Sequence, residues 1–417
     1  MVGRRVFVTQ TGLAAIGLSM VPDFLCRSLQ AAAQTRRPKT LVVVFQRGGA
    51  DGLSLLVPFG EKAYYAHRPT IAVPTPGKGD DAALDLDGFY GLNPALRALA
   101  PLYKEGRLAA ITAVGSPDTG NRSHFEAQDI MESAAPGTKT VSTGWLNRYL
   151  QTTPDPHATP LRAAAIGEQL PKALRGPAAA LNIGRLDDFS LAGGAMYQSM
   201  YNKESNALLT GAAHEMFSAI DLLKSVDPKK YEPAPGVNYG PPNDSFGQAL
   251  KQIAQLIKAE VGLQIAFVDI RGEWDTHQSQ SVRLTPLLQS FGRGLAAFNK
   301  DLGDRMEDVV VLTMSEFGRT ARENGNAGTD HGHANVMFAM GGPVKGGKVY
   351  GKWPGLEREQ LNEDRDLALT TDFRDVFAEV LTGHLQCKTL DSVFPRYPIA
   401  PERTLGLIKT AAAGAAR

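Results

Sequence analysis

The sequence predicts an α/β fold, a three-layer α/β/α sandwich around a mostly parallel central sheet. Three observations carry this. Short apolar runs rich in β-branched residues, such as Leu41-Val42-Val43-Val44-Phe45 and Val309-Val310-Val311-Leu312-Thr313-Met314, read as strands buried on both faces. Long stretches of helical periodicity alternate with them, as over 245–261 and 279–302. The 43 glycines and 26 prolines, both high counts, point to turns and long connections, where functional residues gather.

The first 33 residues read as an export signal. Arg4-Arg5-Val6-Phe7 precedes a mildly apolar stretch and Ala31-Ala32-Ala33, the order of a twin-arginine signal with a small-residue cleavage site. The apolar stretch is too short, and too broken by Gly and Pro, to span a bilayer. Cys26 lacks the small residues that precede a lipoprotein cysteine. The expected location is the periplasm, with no transmembrane anchor. Cleavage after Ala33 takes Arg4, Arg5, Arg27 and Asp23 with it and moves the net charge from +1 to about −1. It also leaves Cys387 as the sole cysteine, so a monomer has no internal disulfide.

Residues 34–417 read as a single domain with long insertions over about 151–243. Strands are expected at 39–45, 108–114, 161–166, 180–183, 263–270, 309–314 and 336–340. Helices are expected at 124–133, 199–226, 245–261, 279–302 and 373–385, with a frayed Ala-rich tail over 410–417. No internal repeat stands out. The 44 basic residues nearly balance 43 acidic ones, and no block of like charge offers a nucleic-acid footprint. With 43% hydrophobic and 21% charged residues, disordered, collagen-like and polytopic membrane chains are excluded.

In an open parallel sheet, functional groups collect at the carboxyl ends of the strands. Four of the predicted strand ends carry suggestive residues. Asp51 follows the first in a glycine turn. Asn121-Arg122-Ser123-His124 follows the second. Trp274-Asp275-Thr276-His277 follows a third. Ser315-Glu316-Phe317-Gly318-Arg319 and then Thr329-Asp330-His331-Gly332-His333 follow the fourth. Four of the eight histidines lie in these segments: His124, His277, His331 and His333. Asp, Glu and His together form the ligand set of zinc, manganese and similar ions, and less well of calcium or magnesium. Plainer readings stand beside these. Asp51 suits a turn, Ser123 with Glu126 suits a capping box, and Asp275-Thr276-His277 suits a polar turn. Glu316 suits an ion pair with Arg319 or Arg322. Asp330-His331-Gly332-His333 is the strongest cluster, with two imidazoles and a carboxylate in one glycine-rich loop.

These segments, together with Arg47-Gly48-Gly49-Ala50-Asp51-Gly52-Leu53, resemble the signatures of an exported bacterial family, domain-of-unknown-function family 1501. That family is grouped with the alkaline-phosphatase-like superfamily of phosphatases, phosphodiesterases and sulfatases. The resemblance covers about 39–394. It implies an α/β/α sandwich holding one or two divalent metals. It implies Ser123 as nucleophile at a helix start, with Asp51, Asp275, His277, Glu316 and His331 or His333 as metal ligands. Phe317 stands where the superfamily places a coordinating histidine.

The leading expectation is a metal-dependent hydrolase of phosphate or sulfate esters. Ser123 attacks, Arg122 and Arg319 hold the anion, and Asp51, Asp275, His277, Glu316, Asp330, His331 and His333 supply the metal shell. The partner is then a small anionic ester. The alternative is an inactive exported protein that binds or assembles with a partner protein, with or without one structural metal.

Overall fold

A computed structural model of the protein describes residues 37–118, 122–138, 140–186, 217–224 and 230–409. The expected export signal, most of the expected helix over 199–226, part of the long insertions and the Ala-rich tail lie outside the described residues.

The seven predicted apolar runs, with two short strands beyond those expected, form one nine-stranded sheet. Its strands are β1 (Thr40–Gln46), β2 (Leu108–Gly115), β3 (Ala163–Ile166), β4 (Leu181–Ile183), β5 (Ile265–Ile270), β6 (Val309–Met314), β7 (Asn335–Met340), β8 (Val349–Tyr350) and β9 (Thr371–Asp372). The spatial order is β8-β2-β7-β6-β1-β5-β3-β4, with β9 also pairing β2. All pairings are parallel except those of β7 with β2 and with β6.

Every residue of β1 is buried, which is why its run is unbroken rather than alternating. Alternate residues still serve opposite faces. Val42 and Val44 pack with Phe246, Leu250, Phe291 and Phe298 in one core. Leu41, Val43 and Phe45 pack with Trp145, Leu146, Phe373 and Phe377 in the other. The helices that supply these partners cover the two faces: α3 (Ser245–Lys258) and α4 (Gln280–Leu302) on one, α1 (His124–Ser133), α2 (Trp145–Thr152) and α5 (Phe373–Gly383) on the other.

β7 runs antiparallel for a local reason. A parallel return needs a crossover, usually helical, of a dozen or more residues. The connection over 315–334 is glycine-rich and contains no helix, so the chain turns back beside β6. The carboxyl ends of β1, β2, β5 and β6 and the start of β7 therefore share one edge. The expected capping box at Ser123 does not form: Ser123 is the N-cap of α1, but its side chain makes no capping bond.

Candidate metal centre

Two of those strand ends and the connection into β7 bring histidines to one point. His124 is the first residue of α1 after β2. His277 follows β5, and His331 ends the connection from β6 to β7. The Nε2 atom of His331 lies 3.1 Å from Nε2 of His124 and 3.1 Å from Nε2 of His277. Asp275 Oδ1 is 3.0 Å from Nε2 of both His277 and His331, and its Oδ2 is 3.4 Å from Nε2 of His124. His124, Asp275 and His331 offer ligand atoms all within 4.8 Å of one another, and among the described residues no other such group is found. His277 extends it by its two short approaches.

The opposite side of each ring explains its aim. Nδ1 of His124 donates to Glu316 Oε1 at 2.9 Å. Nδ1 of His277 donates to Asp330 Oδ1 at 2.9 Å, and Nδ1 of His331 to the Arg122 carbonyl at 2.8 Å. A carboxylate or carbonyl only accepts, so each ring gives its Nδ1 proton outward. In the neutral rings, the Nε2 lone pair of His331 then faces those of His124 and His277 beside a carboxylate. Such a convergence repels itself unless a proton or a metal ion sits within it. The separations of His331 and Asp275 from the other ligand atoms, 3.0–3.4 Å, match the edge of a tetrahedron about zinc, about 3.3 Å for metal–nitrogen distances of about 2.0–2.1 Å. The donor set fits a divalent transition ion, and the outward partners are those that orient ligating histidines. The side chains of His331 and His277 are 22% and 44% exposed, so solvent reaches the centre.

Charges around the centre are tuned. His124 is raised from its ordinary value to about 9, by hydrogen bonds to Asp275 and Glu316. Burial pushes Asp275 upward, but hydrogen bonds from His124, His331 and Arg319 outweigh it and hold the carboxyl far below its usual range. Burial opposes ionisation of Glu316 as well, and hydrogen bonds from His124 and Gln128 again win. Phe317 is buried behind the rings, its centroid 4.9 Å from that of His124 and 4.8 Å from that of His331.

Of the expected metal shell, Asp275, His277 and His331 come together. Glu316 and Asp330 stand behind imidazoles. Glu316 Oε1 also accepts from Gly48 N and Gln128 Nε2, at 2.9 and 2.8 Å, which leaves it no free direction toward an ion. Two of the expected ligands lie apart from this group. Asp51 is fully buried against Arg68, whose Nη2 lies 2.9 Å from Oδ1, and it does not join the ligands. His333 is buried with its Nε2 unpartnered by any described residue, and burial lowers its proton affinity; it too sits apart from the group.

The two arginines expected to hold an anion have other partners. The Arg319 guanidinium is buried, donating to Asp275 and to Thr329. Arg122 Nη2 pairs with Glu363 and Asp366. Ser123 is exposed at the N-terminus of α1. The residue missing from the expected shell is His124. Its signal was position: it opens a helix at the same sheet edge as the other ligands.

A search of curated proteins gave no match. Among solved structures, the chain is similar to the zinc complex of the C-terminal periplasmic domain of EcEptC from Escherichia coli, at 10% identity, covering 74% of each chain, with a TM-score of 0.35. It is similar to the PsFucS1 sulfatase from Pseudoalteromonas sp. at 13% identity, covering 87% of this chain and 71% of that one, TM-score 0.35. A third similar structure is Ps i-CgsB in complex with k-i-k-neocarrahexaose, at 8% identity, covering 85% and 73%, TM-score 0.36. At these TM-scores the likenesses carry no argument about the site. The family model described as "Protein of unknown function (DUF1501)" matches residues 112–392, a span that contains all four converging side chains. The chain therefore belongs to the DUF1501 family.

Proposed function

We propose that this protein is a metal-dependent hydrolase of phosphate or sulfate esters that acts in the periplasm after twin-arginine export. One ion is held by His124, Asp275, His277 and His331. The observation that carries the reading is the meeting of three imidazole lone pairs and a carboxylate at a solvent-exposed sheet edge. Three nitrogens and one oxygen favour zinc over manganese, calcium and magnesium, which prefer oxygen ligands.

When bound, such an ion supplies Lewis-acid polarisation of an ester oxygen and lowers the pKa of an adjacent hydroxyl or water. The chain's own residues supply the rest. Ser123 adjoins ligand His124 and stands at the N-terminus of a ten-residue helix. There the backbone N–H groups favour both an attacking oxyanion and a bound anion. Arg319 keeps Asp275 ionised and aimed. Glu316, Asp330 and the Arg122 carbonyl keep the three rings in one tautomer. Beside them, a cavity of about 590 Å³ lined by Arg47, Phe125, Gln128 and Lys172 offers room for the remainder of the ester. Phe125, next to His124, is 88% exposed and can cover an apolar face of that remainder.

Support for an extracytoplasmic location is the N-terminal signal. Among the described residues, no helix is long and apolar enough to cross a membrane.

The test is elemental analysis of protein purified without chelator, followed by turnover of aryl phosphate, phosphodiester and sulfate esters. About one equivalent of transition metal is expected, with turnover lost in Ser123→Ala. Equal rates for variant and wild type remove Ser123 as nucleophile. A second reading has one observation behind it: four protein donors already complete a tetrahedral shell, as in structural sites. In that case chelation lowers the melting temperature and there is no activity to lose.

A further inference from the structure

Asp51 belongs to a buried network that reaches the metal centre by another route. Asp51, Ser54, Arg68 and Gln280 are each no more than 3% exposed. Both terminal nitrogens of Arg68 donate to the Asp51 carboxylate. Ser54 Oγ and Gln280 Nε2 each donate to Asp51 Oδ2 at 2.6 Å. At the other end of the same amide, Gln280 Oε1 accepts from Thr276 Oγ1 at 2.8 Å and from Thr329 Oγ1 at 2.6 Å.

Those two threonines sit inside the ligand segments. Thr276 lies between Asp275 and His277. Thr329 precedes Asp330, the residue behind His277, and comes two places before His331. Thr329 N donates to the Thr276 carbonyl at 3.0 Å, which ties the two segments together. Thr329 Oγ1 also accepts from Arg319 Nε at 3.2 Å, and Arg319 Nη1 donates to Asp275.

The chemistry allows one orientation. Asp51 can only accept, so the Gln280 NH₂ faces it and the Gln280 carbonyl faces the hydroxyls. Every bond points the same way, from Arg319 and the threonines through Gln280 to Asp51. A side chain at this place must donate at one end and accept at the other. Gln280 itself is fixed at the start of α4, where its N–H donates to the Ala327 carbonyl at 2.8 Å.

We infer that Gln280, anchored by the buried Asp51–Arg68 pair, is a positioning residue that aims Asp275, His277 and His331 at the bound ion. This rests on the metal-centre reading given above. Groups that orient ligands typically matter roughly 10–100-fold in metal affinity when removed.

The test measures zinc affinity by chelator competition and the visible absorption of the cobalt(II)-loaded full-length protein. Gln280→Glu changes one atom and sets a second carboxylate against Asp51. It is expected to weaken zinc binding roughly tenfold or more and to shift the cobalt bands. Thr329→Val, which deletes only the hydroxyl, is expected to move both readouts in the same direction, and Thr329→Ser to restore them. Wild-type affinity and spectrum in both Gln280→Glu and Thr329→Val, even with a lowered melting temperature, overturn the inference and leave the network a purely structural one. If Gln280→Glu fails to fold, the Thr329 pair decides alone. If the wild type binds neither zinc nor cobalt, the metal-centre reading fails before any variant is made, and this inference fails with it.

Discussion

His124 is held from behind by Glu316: its Nδ1 donates to Oε1 at 2.9 Å while its Nε2 faces His331 Nε2 at 3.1 Å. The carboxylate is buried, so its charge acts on the ring with little screening. Glu316→Gln keeps an acceptor for the surrounding N–H donors but removes that charge. Zinc affinity is expected to fall roughly tenfold with the circular-dichroism spectrum unchanged. An unchanged dissociation constant in chelator competition removes Glu316 from this role.

His331 and His333 are two residues apart, yet only one faces the other ligands. His331→Ala is expected to abolish stoichiometric metal, because His331 Nε2 touches both other imidazoles and Asp275. His333→Ala is expected to keep about one equivalent while losing about 1–3 kcal/mol of stability, as a buried ring is deleted. Metal analysis of the two variants side by side decides it. Loss of metal in the His333 variant alone reverses the assignment.

Gly49 is shaped by Phe317. Its φ is +65°, and a Cβ there lies 2.4 Å from Phe317 Cε2. Gly49→Ala forces a left-handed alanine and displaces the ring that backs His124 and His331. A cost of about 1–3 kcal/mol is expected in urea denaturation, together with weaker metal binding. A variant as stable as wild type contradicts the close packing.

His384 makes stability pH-dependent. Burial lowers its pKa to about 4, while its Nε2 donates to the Thr40 carbonyl at 3.0 Å. The unfolded chain takes up the proton near its ordinary value of about 6.5. The group's contribution is therefore complete above about 6.5 and is lost as pH falls through the window to about 4. The loss amounts to about 3 kcal/mol at the acid end. His384→Gln is expected to be less steep than wild type in denaturation midpoints over that window. Parallel curves refute the assignment.

Much of this fold is legible from periodicity. The runs 309–314 and 124–133 agree with β6 and α1 to the residue, and α3 and α4 start within a residue of expectation. Continuous apolar runs announce strands buried on both faces. Strand direction is less visible: β7 looks like any buried strand, and only the lack of a helix in the connection before it reveals the reversal. In the site, residue type pointed to the segments that converge but not to the facing of each side chain. Glu316, Asp330 and Asp275 are alike in sequence; which of them looks inward depends on Arg319, His124 and His277, brought together from distant stretches. Asp51 read as a ligand because nothing in its own turn shows that Arg68 lies beneath it. Gln280 carried no signal at all, since a buried glutamine is recognisable only through its partners.

The guanidinium of Arg319 has a consequence for stoichiometry. Asp275, Glu316 and Asp330 bring three negative charges to the centre, and Arg319 returns one positive charge. Before a metal arrives, His124, raised to about 9, holds a proton that offsets one of these charges; ligation displaces that proton and leaves two negative charges facing the ion. One divalent ion brings that balance to zero. In the proposed reaction, an incoming ester anion then meets no electrostatic barrier at the door. In the proposed centre a second divalent ion would have to enter a site already neutral, so the charge balance favours one ion over two.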